Sequence, residues 1–270
     1  MRIVPVIDLR GGRAVAGRSG DRARYAPVMS RIRGGAAEDL SNPLRLARAL
    51  AETLAPERLY VADLDRIEGT GDNGRVVAAL LEADPARVIL WDGGLAGRAG
   101  APRHPRLVPI LATESIAAVE EIDAAAGGAG AAGAGAMGGA TGGEATGIET
   151  SGTPRPWLGL DLEARRLRAR TPGIAELGER AILRRAVRGG VGGVVIVLLS
   201  RVGTISGLPR DRLRRLRDDA PGLATIAGGG IASIDDLRFM RSVGCQGALL
   251  ATALHDGRLR PADLRRAGFI

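Results

Sequence analysis

The chain has 270 residues, 45% of them hydrophobic, enough for one large domain or two small ones with ample core. All 38 basic residues are arginine against 30 acidic ones, a net charge of +8. The arginines are scattered over helical stretches such as RLRRLRDD and AILRRAVR, and aromatics are only 2%, so the charge reads as solvated faces, with no nucleic-acid partner expected. The missing lysine excludes Schiff-base chemistry through a lysine side chain. Cys245 stands alone, which allows no intramolecular disulfide and no metal cluster. The start, MRIVPVIDLR, lacks a signal-peptide layout, and no apolar run approaches the roughly 20 residues of a membrane span, so a cytoplasmic chain with no membrane partner is expected.

Eight apolar runs read as strands: 2–8, 58–64, 86–91, 106–111, 156–161, 192–199, 223–227 and 247–251. They show little alternation, as strands of a parallel sheet buried on both faces do. Between them lie helical patterns at 43–55, 73–84, 114–126, 174–188, 209–219 and 233–243. The first has a start signal, with Ser41 or Asn42 as cap and Pro43 at the first helical position. Eight strands with intervening helices predict a (β/α)8 barrel, with a doubly wound open sheet as the alternative. The stretch DGGLAGRAGAPRHPR (92–106) is too short for an ordinary crossover, so the third helix is expected to be truncated. The Gly/Ala-rich stretch 127–152 is expected to be a disordered surface insertion without catalytic role. IEGTGD (67–72) echoes RVGTISG (201–207), and WDGGLA (91–96) echoes AGGGIA (227–232), at a nearly constant offset of about 135 residues. The barrel is therefore read as two related half-barrels within one domain spanning 1–270.

In a barrel the loops after the strand C-termini build the site. Gly228, Gly229 and Gly230 follow the seventh strand and precede a helix, so their N–H groups can cradle a phosphate, with the amides of Ala251 and Thr252 closing the other side. The bland reading is a tight turn for helix packing. Asp8 ends the first strand in VIDLRGG and Asp161 ends the fifth in LGLDLE. These strands face each other across the barrel, so two carboxyl groups would flank one mouth and divide acid and base work, unless one or both merely cap a loop. Asp63 and Asp65 end the second strand, where Asp65 is expected to order the local loop. His104 falls at the wrong end of the barrel, and His255 is expected to pack or hydrogen-bond locally. No metal and no cofactor are predicted. Carboxylates with backbone amides favour proton transfer on a small phosphorylated molecule.

VPVIDLRGGRAVAGRSGDRARYAPV, VADLDRIEGTGDN, LGLD and AGGGIASIDDLRFMRSVGCQGALLATALHDGRL resemble the phosphoribosylformimino-aminoimidazole carboxamide ribotide isomerases of histidine biosynthesis. The related cyclase subunit of imidazole glycerol phosphate synthase shares the barrel. The resemblance covers nearly the whole chain apart from 95–105 and 127–152. It implies an Amadori rearrangement, the aldose-to-ketose isomerisation of a ribosylamine phosphate. It implies acid–base roles for Asp8 and Asp161, one phosphate site at Gly229, Gly230, Ala251 and Thr252, and another at Gly93, Gly94 and Thr113.

Several positions depart from the family pattern. After the sixth strand, Thr-Asp-Ile-x-x-Asp-Gly-Thr is expected; the stretch VLLSRVGT has Val197 and Leu198 for the first threonine and aspartate, and Val202 for the aspartate before Gly203. After the third strand, DGGLAG replaces Gly-Gly-Gly-Ile-Arg. After the fourth, Ala112-Thr113 replaces Gly-Thr, and RARTPGI replaces a tryptophan-bearing loop after the fifth. Two expectations follow. One is an isomerase on a phosphoribosyl-like substrate, either the histidine-pathway enzyme or a divergent paralogue serving another pathway such as pterin-cofactor synthesis. The other is a non-catalytic phosphate-ligand binding protein. The chain is expected to be a monomer.

Overall fold

The computed structural model describes residues 1–17, 21–94, 104–127, 154–164, 166–204 and 207–270. Eight parallel strands run in chain order: β1 (Arg2–Arg10), β2 (Arg58–Asp63), β3 (Val88–Asp92), β4 (Leu107–Ala112), β5 (Trp157–Leu162), β6 (Val194–Leu198), β7 (Thr225–Gly228) and β8 (Gly247–Leu250). Each pairs with the next, and β8 returns to β1 in the register Arg2↔Gly247 to Pro5↔Leu250, so the sheet closes into a barrel. This is the predicted (β/α)8 architecture, and closure rules out the open doubly wound sheet.

The strands are apolar throughout because both faces are covered. Side chains alternate along each strand. Val4, Leu90, Val108, Ile110, Val195 and Ile226 fill the interior, while Ile3, Ile7, Ile89, Leu158 and Ile196 join the outer layer under the helices. With few aromatics to fill space, Trp157 takes a large share of the barrel interior. A Cβ on Gly193 would come 2.8 Å from its ring, so that position needs a residue without a side chain.

Helix Pro43–Leu54 begins as predicted. Of the two cap candidates Asn42 caps it, its side chain accepting the Arg45 N–H at 3.0 Å, whereas the Ser41 hydroxyl accepts from Arg13 Nη2. Helices Gly74–Ala83, Arg210–Asp218 and Ile234–Ser242 fall where expected, and Ser233 caps the last. Pro172–Gly189 contains a break at Gly178, whose φ of 73° and ψ of 167° interrupt the helix. The helix after β4 runs Glu120–Gly127, starting later than 114 because residues 113–116 form a turn beside the strand ends. The expected third-helix truncation (95–103) and nearly all of the insertion (128–152) lie outside the described residues.

Both echoes have structural counterparts. A short helical turn follows β2 at Leu64–Glu68 and β6 at Leu199–Arg201. Asp92-Gly93-Gly94 ends β3 as Gly228-Gly229-Gly230 ends β7, the first residue of each being the last of its strand. The periodicity did not announce the antiparallel strand Arg13–Ala16, which folds back on β1 through Gly11 and Gly12, nor the pairing of Ala26–Pro27 with it. Both strands are too short to show a pattern. No described helix is long and apolar enough to cross a membrane.

Candidate active site

Alternation along the strands decides which residues face the barrel mouth. On β1, inward Val4 and Val6 precede Asp8; on β3, inward Val88 and Leu90 precede Asp92; on β5, inward Trp157 precedes Asp161 by two pleats. The strand registers carry these acids to the C-terminal ends of the strands. Asp8 pairs with Ala62 and Ala62 with Asp92, while Asp161 pairs with Val197 and Val197 with Gly228. A cavity of about 100 Å3 opens at these ends. Asp8 and Asp161 both line it, as do Gly229, Gly230, Ala251 and Thr252.

The carboxyl groups lie in poor solvent. Burial lifts Asp8 to about 6, partly offset by the guanidinium groups of Arg22 and Arg10. Asp161 is 3% exposed, and burial, Glu114 and Asp92 together hold its carboxyl well above the usual range, against a smaller pull from Arg22. Its Oδ2 is buried with no hydrogen-bond partner among the described residues. Burial and Glu114 push Asp92 up to about 7, against the Tyr60 hydroxyl, which donates to Oδ2 at 2.9 Å, and weaker help from the Gly94 N–H and Arg22. Glu114 is held by Arg22 and by Arg168, whose Nε lies 3.1 Å from its other oxygen.

The anion end is built from backbone. Gly229 and Gly230 have φ of 99° and 84°. A Cβ on Gly229 would lie 2.4 Å from the Leu198 carbonyl oxygen, and one on Gly230 would lie 2.9 Å from that of Gly207. Only glycine fits both the torsions and the space. The N–H groups of Gly230 and Ile231 donate to no acceptor among the described residues, which leaves them available to a ligand.

Gly93, Gly94 and Thr113 do not line this cavity. Gly93 rests on the fully buried ring of Trp91, and Gly94 packs against the backbone of Arg66 and Ile67. Thr113 is fully buried, and its hydroxyl accepts the Asp161 N–H at 3.1 Å. It therefore fixes the backbone that carries Asp161. Asp65 orders the loop, as expected: its Oδ2 accepts from the Gly11 N–H and from Asn73 Nδ2, while Asn73 Oδ1 accepts the Gly12 N–H. Asp63 binds the backbone and side chain of Asn73. The turn after β1 is thereby tied to the loop after β2. His255 is buried against the Ser30 hydroxyl at 3.0 Å, and burial lowers it to about 4. His104 accepts the Arg106 N–H locally, away from the cavity.

Sequence reasoning missed Arg22, Tyr25, Tyr60, Asp92 and Glu114 as cavity residues. Asp92 had a signal. It ends the apolar run VILWD as Asp8 and Asp161 end theirs, and it stands where the family pattern has a glycine. Arg22, Tyr25 and Glu114 come from loops and had none.

The "Histidine biosynthesis protein" family matches residues 148–260. Over nearly its whole length the chain is similar to a 1-(5-phosphoribosyl)-5-((5-phosphoribosylamino)methylideneamino) imidazole-4-carboxamide isomerase of Thermus thermophilus. The two are 31% identical over 266 residues, covering 96% of this chain and 97% of the relative. The isomerase of the same name from Bradyrhizobium diazoefficiens is 30% identical over 267 residues, covering 96% and 93%. An uncharacterized protein of Methanocaldococcus jannaschii is 27% identical over 264 residues, covering 96% and 95%.

Proposed function

We propose that this chain, which belongs to the phosphoribosyl isomerase superfamily of histidine biosynthesis, is an aldose–ketose isomerase of the Amadori type acting on a phosphoribosyl-like substrate. The reaction is a series of proton transfers. The ring C–O bond of an aminoaldose opens to a C1 imine as the ring oxygen takes a proton, C2 loses a proton to give an enolamine, and this becomes the aminoketone as C1 takes up a proton and the C2 hydroxyl gives one up. One group must donate and another accept. Asp161, whose carboxyl is held well above the usual range by burial and by Glu114 and Asp92, suits the acid. Asp8, at about 6 beside Arg22 and Arg10, is mostly ionised there and suits the base. Different surroundings thus give two aspartates two roles. The phosphate is seated by Gly229, Gly230, Ala251 and Thr252. Placing one reactive group against both acids is the work of that seat. The observation that carries the reading is that Asp8, Asp161 and the glycine turn line one cavity.

A second reading, a paralogue with a different substrate, is favoured by Asp92, Val197 and Val202, all cavity residues at positions that depart from the family pattern. A purely binding role is disfavoured by two carboxyl groups with strongly perturbed protonation in one cavity. Complementation of a histidine auxotroph lacking the isomerase separates these readings. Rescue by the intact gene, lost with Asp8→Asn, supports the histidine step; no rescue despite soluble expression removes it. In parallel, inorganic phosphate should raise Tm by mass action. Thr252→Asp, which sets a carboxylate at the seat without straining the chain, should abolish that rise.

A further inference from the structure

The lining of the cleft is uneven. Its β7–β8 end is glycine, alanine and threonine, flanked by Val197 and Val202, with no acid. Its opposite end carries Asp92, Glu114 and Asp161, from the ends of β3, β4 and β5. Arg22 is the one arginine among the lining residues described, and it is engaged by Glu114 and lies 3.8 Å from Glu68. Asp161 is almost fully buried, and its Oδ2 has no partner among the described residues. One Asp92 oxygen takes the Tyr60 hydroxyl, and the other has only the Gly94 N–H at 3.5 Å, too long for a firm bond. Two carboxyl oxygens at this end of the cleft therefore lack a good partner among the described residues. The glycines after β3 do not line the cleft: Gly93 backs onto the Trp91 ring and Gly94 onto the backbone of Arg66 and Ile67.

We propose that the Asp92–Asp161 end of the cleft receives an uncharged or cationic hydrogen-bond donor, a hydroxyl, amine or amidine, and that the substrate is a phosphomonoester carrying one phosphate only. The inference rests on the isomerase reading for the phosphate seat at the other end and narrows its substrate class. A second phosphate would bring like charge against Asp92 in a poorly solvated pocket, which selects against it. A donor group satisfies the open oxygens, and its absence would leave them unpaired.

The test is calorimetric titration at pH 8 with ribose 5-phosphate and ribose 1,5-bisphosphate, on the intact protein and on Asp92→Asn. The intact protein should bind the monophosphate at least tenfold more tightly. Asp92→Asn should bring the two ligands within about threefold, since the neutral amide removes the repulsion. Asp92→Gly is the alternative variant should the asparagine form fail to fold. Equal or tighter binding of the bisphosphate by the intact protein overturns the inference, as does an unchanged ratio in a folded Asp92 variant or no binding of either sugar. Failure of inorganic phosphate itself to raise Tm would remove the phosphate seat and the isomerase reading with it. A normal phosphate response with a preference for the bisphosphate removes this inference alone.

Discussion

Gly93 and Gly94 follow β3 as Gly229 and Gly230 follow β7, in equivalent places on the two halves of the ring. After β7 the glycines border the cavity, their torsions lie in the left-handed half of φ, and the N–H groups of Gly230 and Ile231 have no acceptor among the described residues. After β3 the glycines do not border the cavity, Gly93 backs onto the Trp91 ring, and Asp92 stands at the strand end where β7 has Gly228. A glycine pair thus does not make an anion site by itself. Whether the turn borders the cavity and what side chain precedes it decide whether the backbone is offered to a ligand.

The largest expected effect tests the axis between the two ends. Asp161→Asn should lower turnover about a thousandfold or more while phosphate still raises Tm, since a positioned acid contributes roughly 10²–10⁴. Loss of the phosphate response together with turnover would mean that the acid and the seat are not separable. Next, alanine can be placed in each turn. Gly229→Ala forces a Cβ against the Leu198 carbonyl at a strained φ and should cost about 3 kcal/mol with loss of phosphate binding. Gly93→Ala presses on the Trp91 ring and should cost about 1–3 kcal/mol, read by urea unfolding, with phosphate affinity unchanged. If Gly93→Ala weakens phosphate binding as well, the contrast between the turns fails.

Stability against pH sharpens the picture of the acidic end. Asp8 and Asp92 hold protons in the folded chain up to about 6 and about 7, whereas an unfolded aspartate loses its proton near 4. Between these limits the folded state binds more protons, so stability falls as pH rises through the window. Tm should be higher at pH 5.5 than at pH 8; a flat or rising Tm would contradict the burial of these acids. The smallest effect is local. Tyr60→Phe removes the donor that favours ionised Asp92, so its carboxyl should titrate higher still, by about one pH unit for a single hydrogen bond. Carbon NMR of the carboxyl groups reads the shift.

The ring itself was legible because each strand is covered on both faces and so appears as an unbroken apolar run. Asp8 and Asp161 were legible because an acid that ends such a run sits at the mouth. Asp92 obeys the same rule, although the resemblance implies a phosphate site at the glycines beside it. Counting inward positions along VILWD places it correctly. Glu114 and Arg22 were not legible. Their pairing joins the loop after β1 to the turn after β4, and contacts so distant in sequence leave no local pattern. Thr113 shows a third case, a residue close to the chemistry in sequence whose hydroxyl supports the Asp161 backbone instead of facing the cleft.

The pairing of Arg2 through Pro5 with Gly247 through Leu250 has a consequence for assembly. During synthesis the outer edge of β1 stays bare until the last staves emerge from the ribosome, so the bowl holding Asp8 and Thr252 is sealed late. A nascent chain halted before residue 247 would expose two raw sheet borders, ready to zip onto another polypeptide.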